Sequence, residues 1–403
     1  MSSCEIVEIK TTQQFYENLK LYCCLFDVEI FNIESKTLIE HPLSISRCSK
    51  VQVPVEDNGR IVSAQHLCTT WTEQDFLVMR KFYKWESIKI GNFRRYKKGY
   101  LPTDFIKAIL KLYQDKTTLK NVQGKEIEYL KSKEMINACY GMAVTDICRD
   151  EITYSNEEWR EEKANIVDSL NKYNRSKRRF LFYPWGVWVT AYARKNLFTG
   201  IMAFGEDYVY SDTDSIKGVN IEKHRDYIDE YNNRIIAKLE AAMKFHGIES
   251  SAYRPKTIKG IEKILGVWDE EEPYTRFKTL GAKRYMTEQH GEINLTVSGI
   301  NKKECVPYLI EKYKTPERVF SAFSNELYIP SRVVYPNGKI IYPTGKNIHT
   351  YVDYPVTGEI TDYRGVTAKY YEASGVHLIE ADYSLSLSVA YADYLRGIQT
   401  FEN

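Results

Sequence analysis

The sequence has no CxxC pair. Its eight cysteines include the adjacent Cys23 and Cys24, and the rest are scattered. That argues against a zinc ribbon or a disulfide framework and fits a reducing compartment. Long apolar runs are also missing: nothing approaches the ~18–20 residues of a membrane span, so no membrane association is expected. The opening MSSCEIVEIK is polar and charged and reads as no secretory signal. The expected location is therefore cytoplasmic. An excess of charge of either sign is lacking too: 56 Lys and Arg face 54 Asp and Glu, a net of +2. With no global basic field, any contact with a polyanion must come from local patches. There is no internal repeat and no low-complexity linker.

What is present reads as a globular chain. At 403 residues it can form two or three domains with sizeable cores. Residues 20–32 (KLYCCLFDVEIFN) predict a buried strand. Pro102 opens a helical pattern, TDFIKAILKLYQDK, with Phe105, Ile106, Ile109, Leu110 and Tyr113 on one face. After the break NVQGK, a second helix is predicted over EIEYLKSKEMINACYG. Residues 145–182 are polar, with an acidic patch (EEWREEK) and a basic one (RSKRR). A helix with Pro184 near its start covers 184–207, and an amphipathic one covers 222–247. YMTEQHGEINLTV predicts a hairpin turning at His290-Gly291. Strands and loops are expected over 328–363, and a helix over LSLSVAYADYLRGI.

The stretch YVYSDTDSIKG at 208–218 places Asp212 and Asp214 one residue apart between two β-favouring runs. In an extended chain such residues point the same way. Two carboxylates held close repel unless a cation sits between them, and a hard divalent ion with oxygen ligands resolves the conflict. An acidic β-turn explains the pair without function.

Upstream, KEMINACYG sets Lys133, Asn137 and Tyr140 at i, i+4 and i+7 on one helix face, with Gly141 ending the helix. A lysine for phosphate charge and a ring for base stacking suit a nucleotide reader. A half-buried amphipathic helix is the plainer reading. Downstream, GAKRYMTE is expected to put Lys283 and Tyr285 on one side of a strand and Arg284 on the other. FRRYKKGYLP adds local positive charge at Arg94, Arg95, Lys97 and Lys98.

In order, KEMINACYG, YSDTDS and KRY resemble the KxxxNxxYG helix, the YxDTDS hairpin and the KxY strand of family B DNA polymerases. PWGVWVTAYAR is similar to the segment before the acid hairpin in the protein-primed phage branch, and KTT at 116–118 matches a phosphate-binding lysine there. The resemblance implies an α+β right-hand fold: an antiparallel palm sheet, helical fingers and a C-terminal thumb, truncated at the N-terminus. The implied domains are a partial palm and first insertion over 1–100, fingers over 101–141 and a second insertion over 142–182. The palm with its catalytic hairpin would follow over 183–300, and the palm end and thumb over 301–403.

By the same resemblance, Asp212 and Asp214 would be the catalytic residues holding two Mg²⁺ ions, with Mn²⁺ able to substitute. One ion would activate the primer 3′-hydroxyl, and the other would bind the triphosphate. Lys133 and Lys116 would neutralise triphosphate charge, and Asn137 and Tyr140 would line the pocket for the nascent base pair. Lys283, Arg284, Tyr285 and Gly141 would meet DNA. Expected partners are primer-template DNA, dNTPs and a priming terminal protein.

The family also has an earlier D-x-x-S-x-Y-P segment, whose aspartate bridges both metals, preceded by an exonuclease domain. This sequence contains neither. Phe26-Asp27-Val28-Glu29-Ile30-Phe31 offers an aspartate without the continuation, and strand alternation places Asp27 and Glu29 on an exposed face. The expectation is the C-terminal portion of a polymerase, from a split gene, a fragment or a degenerate copy. Its catalysis would need a partner that carries the missing aspartate. The alternative is a non-catalytic primer-template-binding protein, which would have no need of Asp212 and Asp214.

Overall fold

In chain order the elements of this computed structural model begin with β1 (Glu5–Ile6), α1 (Thr12–Leu21), β2 (Tyr22–Ser35), β3 (Ser49–Gln52) and β4 (Val55–Asp57). Then come β5 (Arg60–Thr72), α2 (Glu73–Phe82), β6 (Tyr83–Lys97), α3 (Thr103–Thr118) and α4 (Glu126–Ala138). The pair β7 (Glu151–Ser155) and β8 (Glu158–Glu162) precedes α5 (Ile166–Arg175) and α6 (Tyr183–Phe204). The hairpin β9 (Tyr208–Asp212) and β10 (Ser215–Gly218) leads to α7 (Arg225–His246). Next are β11 (Arg276–Thr279), β12 (Arg284–Gln289), β13 (Glu292–Val297), α8 (Lys302–Tyr313) and α9 (Pro316–Ala322), followed by short strands that begin with Tyr328–Pro330, Val333–Val334 and Ile340–Ile341. The structure describes residues 4–155, 158–177 and 179–344, and the backbone of strands Val356–Thr361, Thr367–Tyr371 and Gly375–His377. The helix expected at LSLSVAYADYLRGI lies outside the described residues.

The chain is a mixed helix-and-sheet protein with antiparallel sheets, in line with the α+β expectation. It divides into two compact units. Among the described residues, one spans 4–146 and 176–270, and the other spans 147–175 and 271 onward.

The first unit is built on a sheet in the order β1-β6-β2-β5-β3, with β4 also paired to β5. Along β2, Cys24, Phe26, Val28 and Ile30 alternate inward, as a half-buried strand requires. At Asn32 a left-handed φ of 49° shifts the alternation by one residue, so Ile33 faces the core next. The core is completed by Phe15 and Leu19 of α1, Phe76, Met79 and Phe82 of α2, and Leu197, Phe198 and Ile201 of α6. Each of these apolar sets recurs at helical spacing. Helix α2 starts with a capping box: the Thr72 hydroxyl accepts from the Asp75 N–H, and Asp75 accepts from the Thr72 N–H. A smaller core joins Leu110 of α3 to Met243 of α7 and to Tyr253.

The second unit packs β11-β12-β13 against α8 and α9 around Met286, Leu295, Leu309, Phe320 and Phe323. His290 and Gly291 both take positive φ (51° and 77°), the requirement of a two-residue type I′ hairpin, where the sequence places the turn.

Candidate active site

The acid hairpin is positioned by α6. Gly200 of that helix sits so close to Ile216 of β10 that an added Cβ would lie 2.6 Å from the Ile216 Cδ1. At the end of β10 the opposing atom is backbone and cannot rotate away: a Cβ on Gly218 would lie 2.8 Å from the Asp207 carbonyl oxygen. Asp207 then clasps the segment that leaves the hairpin. Its carboxylate accepts from the Asn220 amide at 2.7 Å and meets the His224 Nε2 at 3.0 Å. Hydrogen bonds from Asn220 and His224 hold Asp207 below the ordinary aspartate range. The His224 ring stacks on Phe204 at 4.4 Å. From the other side, the Tyr208 hydroxyl reaches Glu40 at 3.3 Å and Ser211 at 2.9 Å. Burial pushes the Glu40 carboxyl up.

At the tip, Asp212 pairs with Ser215 across a two-residue loop. Thr213 takes a φ of 56°, and the Asp214 N–H donates to the Asp212 carbonyl at 2.6 Å. A positive φ under an i to i+2 hydrogen bond is the strained form of γ-turn, and it is uncommon for a β-branched residue. The sequence reading of Asp212 and Asp214 as alternating positions in an extended chain is therefore corrected. Asp212 ends the first strand, half-buried, while Asp214 occupies the turn, exposed. Two peptide units still separate them, so their Cα atoms are at most ~7 Å apart and one ion lies within reach of both. The Asp212 Oδ1 accepts from the Thr213 hydroxyl at 2.9 Å.

Two carboxylates suit a hard cation in kind. Among the described residues no third His, Cys, Asp or Glu joins them within 4.8 Å; the one such trio is Glu29, His66 and Cys68. Asp27 lies on the open face of β2, as the alternation predicts. Its carboxylate accepts from Thr70 at 2.7 Å and from Asn92 at 2.6 Å.

Lys133 and Asn137 project from α4 into solvent, and Tyr140, just beyond it, is likewise exposed. The only buried residue on α4 is Ser132, so this stripe lies outside the core of its unit. Lys116 is half-buried in the last turn of α3, where a cation suits the helix dipole. Gly141 departs from the expected left-handed cap. It opens a short 3₁₀ turn without positive φ, and a Cβ there would meet nothing within 4 Å.

In the second unit, the placement of Lys283 and Tyr285 on one side of a strand is corrected. Lys283 stands in the turn before β12, exposed, with a φ of 55°. Gly281 and the residues after it turn the chain too tightly for the strand to begin earlier. Arg284 is buried and donates to the Leu280 carbonyl at 2.7 Å, so it braces the turn instead of offering a surface charge. The Tyr285 ring stacks on Phe277 at 5.5 Å. Of the basic run on β6, Arg95 is tied to Glu5 at 2.8 Å and to Asn18 at 3.0 Å, while Lys97 is exposed.

One cluster escapes a linear reading. Lys195 of α6 and Lys238 of α7 both stand 5.9 Å from the Tyr192 ring. Burial and the charges of Lys238 and Arg234 hold the Lys195 ammonium below the ordinary lysine range. Arg234 and Lys238 recur at i and i+4, a signal visible in the sequence. Their meeting with Lys195 is not, because it needs two helices to pack. An open hollow of about 670 Å³ beside Lys36, Leu38 and Val53 contains none of these groups.

No helix among the described residues is long and apolar enough to cross a membrane. No family model matches the chain, and no curated protein does. Among solved structures, the chain is similar to phi29 DNA polymerase in complex with primer-template DNA and incoming nucleotide substrates. Identity is 17% over 79% of this chain and 50% of that one, with a TM-score of 0.48. An orthorhombic crystal form of the same polymerase gives 17% identity over 85% and 52%, with a TM-score of 0.49. The chain thus spans about half the length of the polymerase structures it is similar to.

Proposed function

We propose that this chain is the palm, fingers and thumb portion of a DNA polymerase of the protein-primed family B type, acting in template-directed deoxynucleotidyl transfer. The observation that carries the reading is the acid hairpin. Asp212 and Asp214 stand at a strained tip whose base is locked to α6, downstream of a solvent-facing Lys133, Asn137 and Tyr140. A plain acidic turn has no need of a rigid mount or of strain at a β-branched residue. In this reading the sheet under β9 and β10 is palm, α3 and α4 are fingers, and the C-terminal part supplies the thumb.

Asp212 and Asp214 would hold Mg²⁺, which when bound supplies charge stabilisation for phosphoryl transfer. The chain's own residues do the positioning. Lys133 and Lys116 meet triphosphate charge, Tyr140 offers its ring to the nascent pair, and the open space at Gly141 admits a close backbone. Lys283 contacts the primer-template backbone. A segment carrying a third carboxylate, joined to this chain or separate, completes the metal site. The lack of a third ligand among the described residues also favours a second reading, a primer-template-binding protein without catalysis.

One experiment separates the two: extension of a labelled primer by the purified chain, with and without a polypeptide carrying an exonuclease region and a D-x-x-S-x-Y-P segment. The expected result is no extension alone and Asp212-dependent extension with the partner, abolished by Asp212→Ala. Mn²⁺ binding by calorimetry should weaken in Asp212→Asn and Asp214→Asn while the fold survives. DNA binding with no extension in any mixture, and unchanged metal affinity, would leave the binding protein. No DNA binding even at low salt would sink both.

A further inference from the structure

We propose that Glu29, His66 and Cys68 form a binding site for a thiophilic divalent transition-metal ion of the zinc class, on the open face of the long sheet. The site follows from register. Strands β2 and β5 run antiparallel with Glu29 directly opposite Cys68. His66 lies two residues from Cys68 on β5, so its side chain leaves the same face. The intervening Leu67 and the flanking Val28 and Ile30 are buried, which fixes the trio on the side away from the core.

The three ligand atoms all lie within 4.8 Å of one another. Ligands held tetrahedrally at zinc distances of about 2.0–2.3 Å stand about 3.3–3.8 Å apart. Closing the remaining gap takes side-chain rotation and no backbone movement. The imidazole is already oriented: the His66 Nε2 lies 3.0 Å from the Glu29 Oε1, and the ring stacks on Phe31 at 4.8 Å. All three residues are half-buried, so solvent can supply a fourth ligand.

The donor set selects the ion. One thiolate, one imidazole and one carboxylate suit zinc and its neighbours; Mg²⁺ and Ca²⁺ prefer oxygen alone. This separates the site from the one at Asp212 and Asp214. Lys89 is the competitor, with its ammonium 3.3 Å from the Glu29 Oε2 and 4.9 Å from the centre of the Phe31 ring. Its side chain is 69% exposed, so it can leave when a cation arrives. Without metal, Glu29 pairs with Lys89 and meets His66 across the solvated sheet face.

The test is titration of the metal-free, reduced full-length chain with Co²⁺, followed by the thiolate-to-cobalt charge-transfer band and the visible d–d bands. One equivalent should bind with both signals, and Zn²⁺ but not Mg²⁺ should displace it. Cys68→Ser should abolish the charge-transfer band, and His66→Ala should weaken binding at least about tenfold. Lys89→Ala should tighten it. Because the three side chains face away from the core, circular dichroism should be unchanged in every variant. The proposal is overturned by the absence of a charge-transfer band. It is equally overturned by a band that survives Cys68→Ser and disappears in Cys4→Ser, since Cys4 is exposed.

Discussion

The indole N–H of Trp188 lies 3.0 Å from both carboxylate oxygens of Glu73, a side chain with no solvent exposure. The same carboxylate accepts from the Cys24 backbone N–H at 2.8 Å and from the Gln74 amide at 3.0 Å. Two residues on, Asp75 takes the Arg194 guanidinium in a two-point contact at 2.9 and 3.1 Å. The first turn of α2 is thereby bound to α6, the helix that mounts the acid hairpin. Removing the carboxylate leaves buried donors unpaired. Glu73→Ala should therefore cost about 2–4 kcal/mol, well above an ordinary surface substitution. Urea unfolding of Glu73→Ala, Trp188→Phe and the double variant should show strong coupling; additive effects would contradict a shared contact.

Gly218 is the least forgiving point of the hairpin mount. Its missing Cβ is opposed by a backbone oxygen at 2.8 Å, which cannot rotate away. Gly218→Ala should destabilise by about 1–3 kcal/mol as an overpacked site. Hydrogen exchange should show faster opening at Asp214 and Ser215, and Mn²⁺ affinity should fall with it. Protection equal to wild type would mean that the mount is not where the hairpin gains its rigidity.

Glu40 gives a pH signature. Burial raises its folded carboxyl above the ordinary value of 4.5, so ionisation opposes the fold. Its contribution is fully present below about pH 4.5 and is lost as pH rises through the raised folded value. Glu40→Gln should therefore match wild type in acid and exceed it at neutral pH, while keeping an acceptor for the Tyr208 hydroxyl. Thermal melts from pH 4 to 8 check the sign, and a constant difference across that range would refute it.

The cluster of Lys195, Arg234 and Lys238 should contribute to primer-template binding through phosphate charge. Lys238→Ala should weaken binding alike on unrelated sequences and make log affinity less steep in log salt by about 1, as expected for one lost counterion. Fluorescence anisotropy at several salt concentrations reads both. A salt slope identical to wild type would place the cluster outside the contact.

Much of this protein was local, and so legible. Helix α3 follows from apolar spacing and α7 from its amphipathic pattern, and Pro184 stands within the first two positions of α6, where the sequence places a helix start. The His290-Gly291 turn and the hairpin at Asp212 follow from which residues tolerate positive φ and which favour strands. These are properties of neighbours in sequence, and neighbours are all a linear reading sees. Even there, Thr213 shows the limit: its strained turn is imposed by pairing, and no propensity favours it. The helix that opens with the capping box at Thr72 and Asp75 was not among the expected elements, and nothing in that local pattern says that Glu73 between them is buried. A glutamate in a first helical turn is ordinarily solvated; only the packing of α6 across it removes the water and supplies Trp188 in its place. Gly200 and Gly218 likewise became requirements only when a strand docked against a helix. Glu29 and His66 are 37 residues apart in the chain and 3.0 Å apart in the fold. The pairing register of β2 with β5 made that contact, and register depends on which faces find a common core.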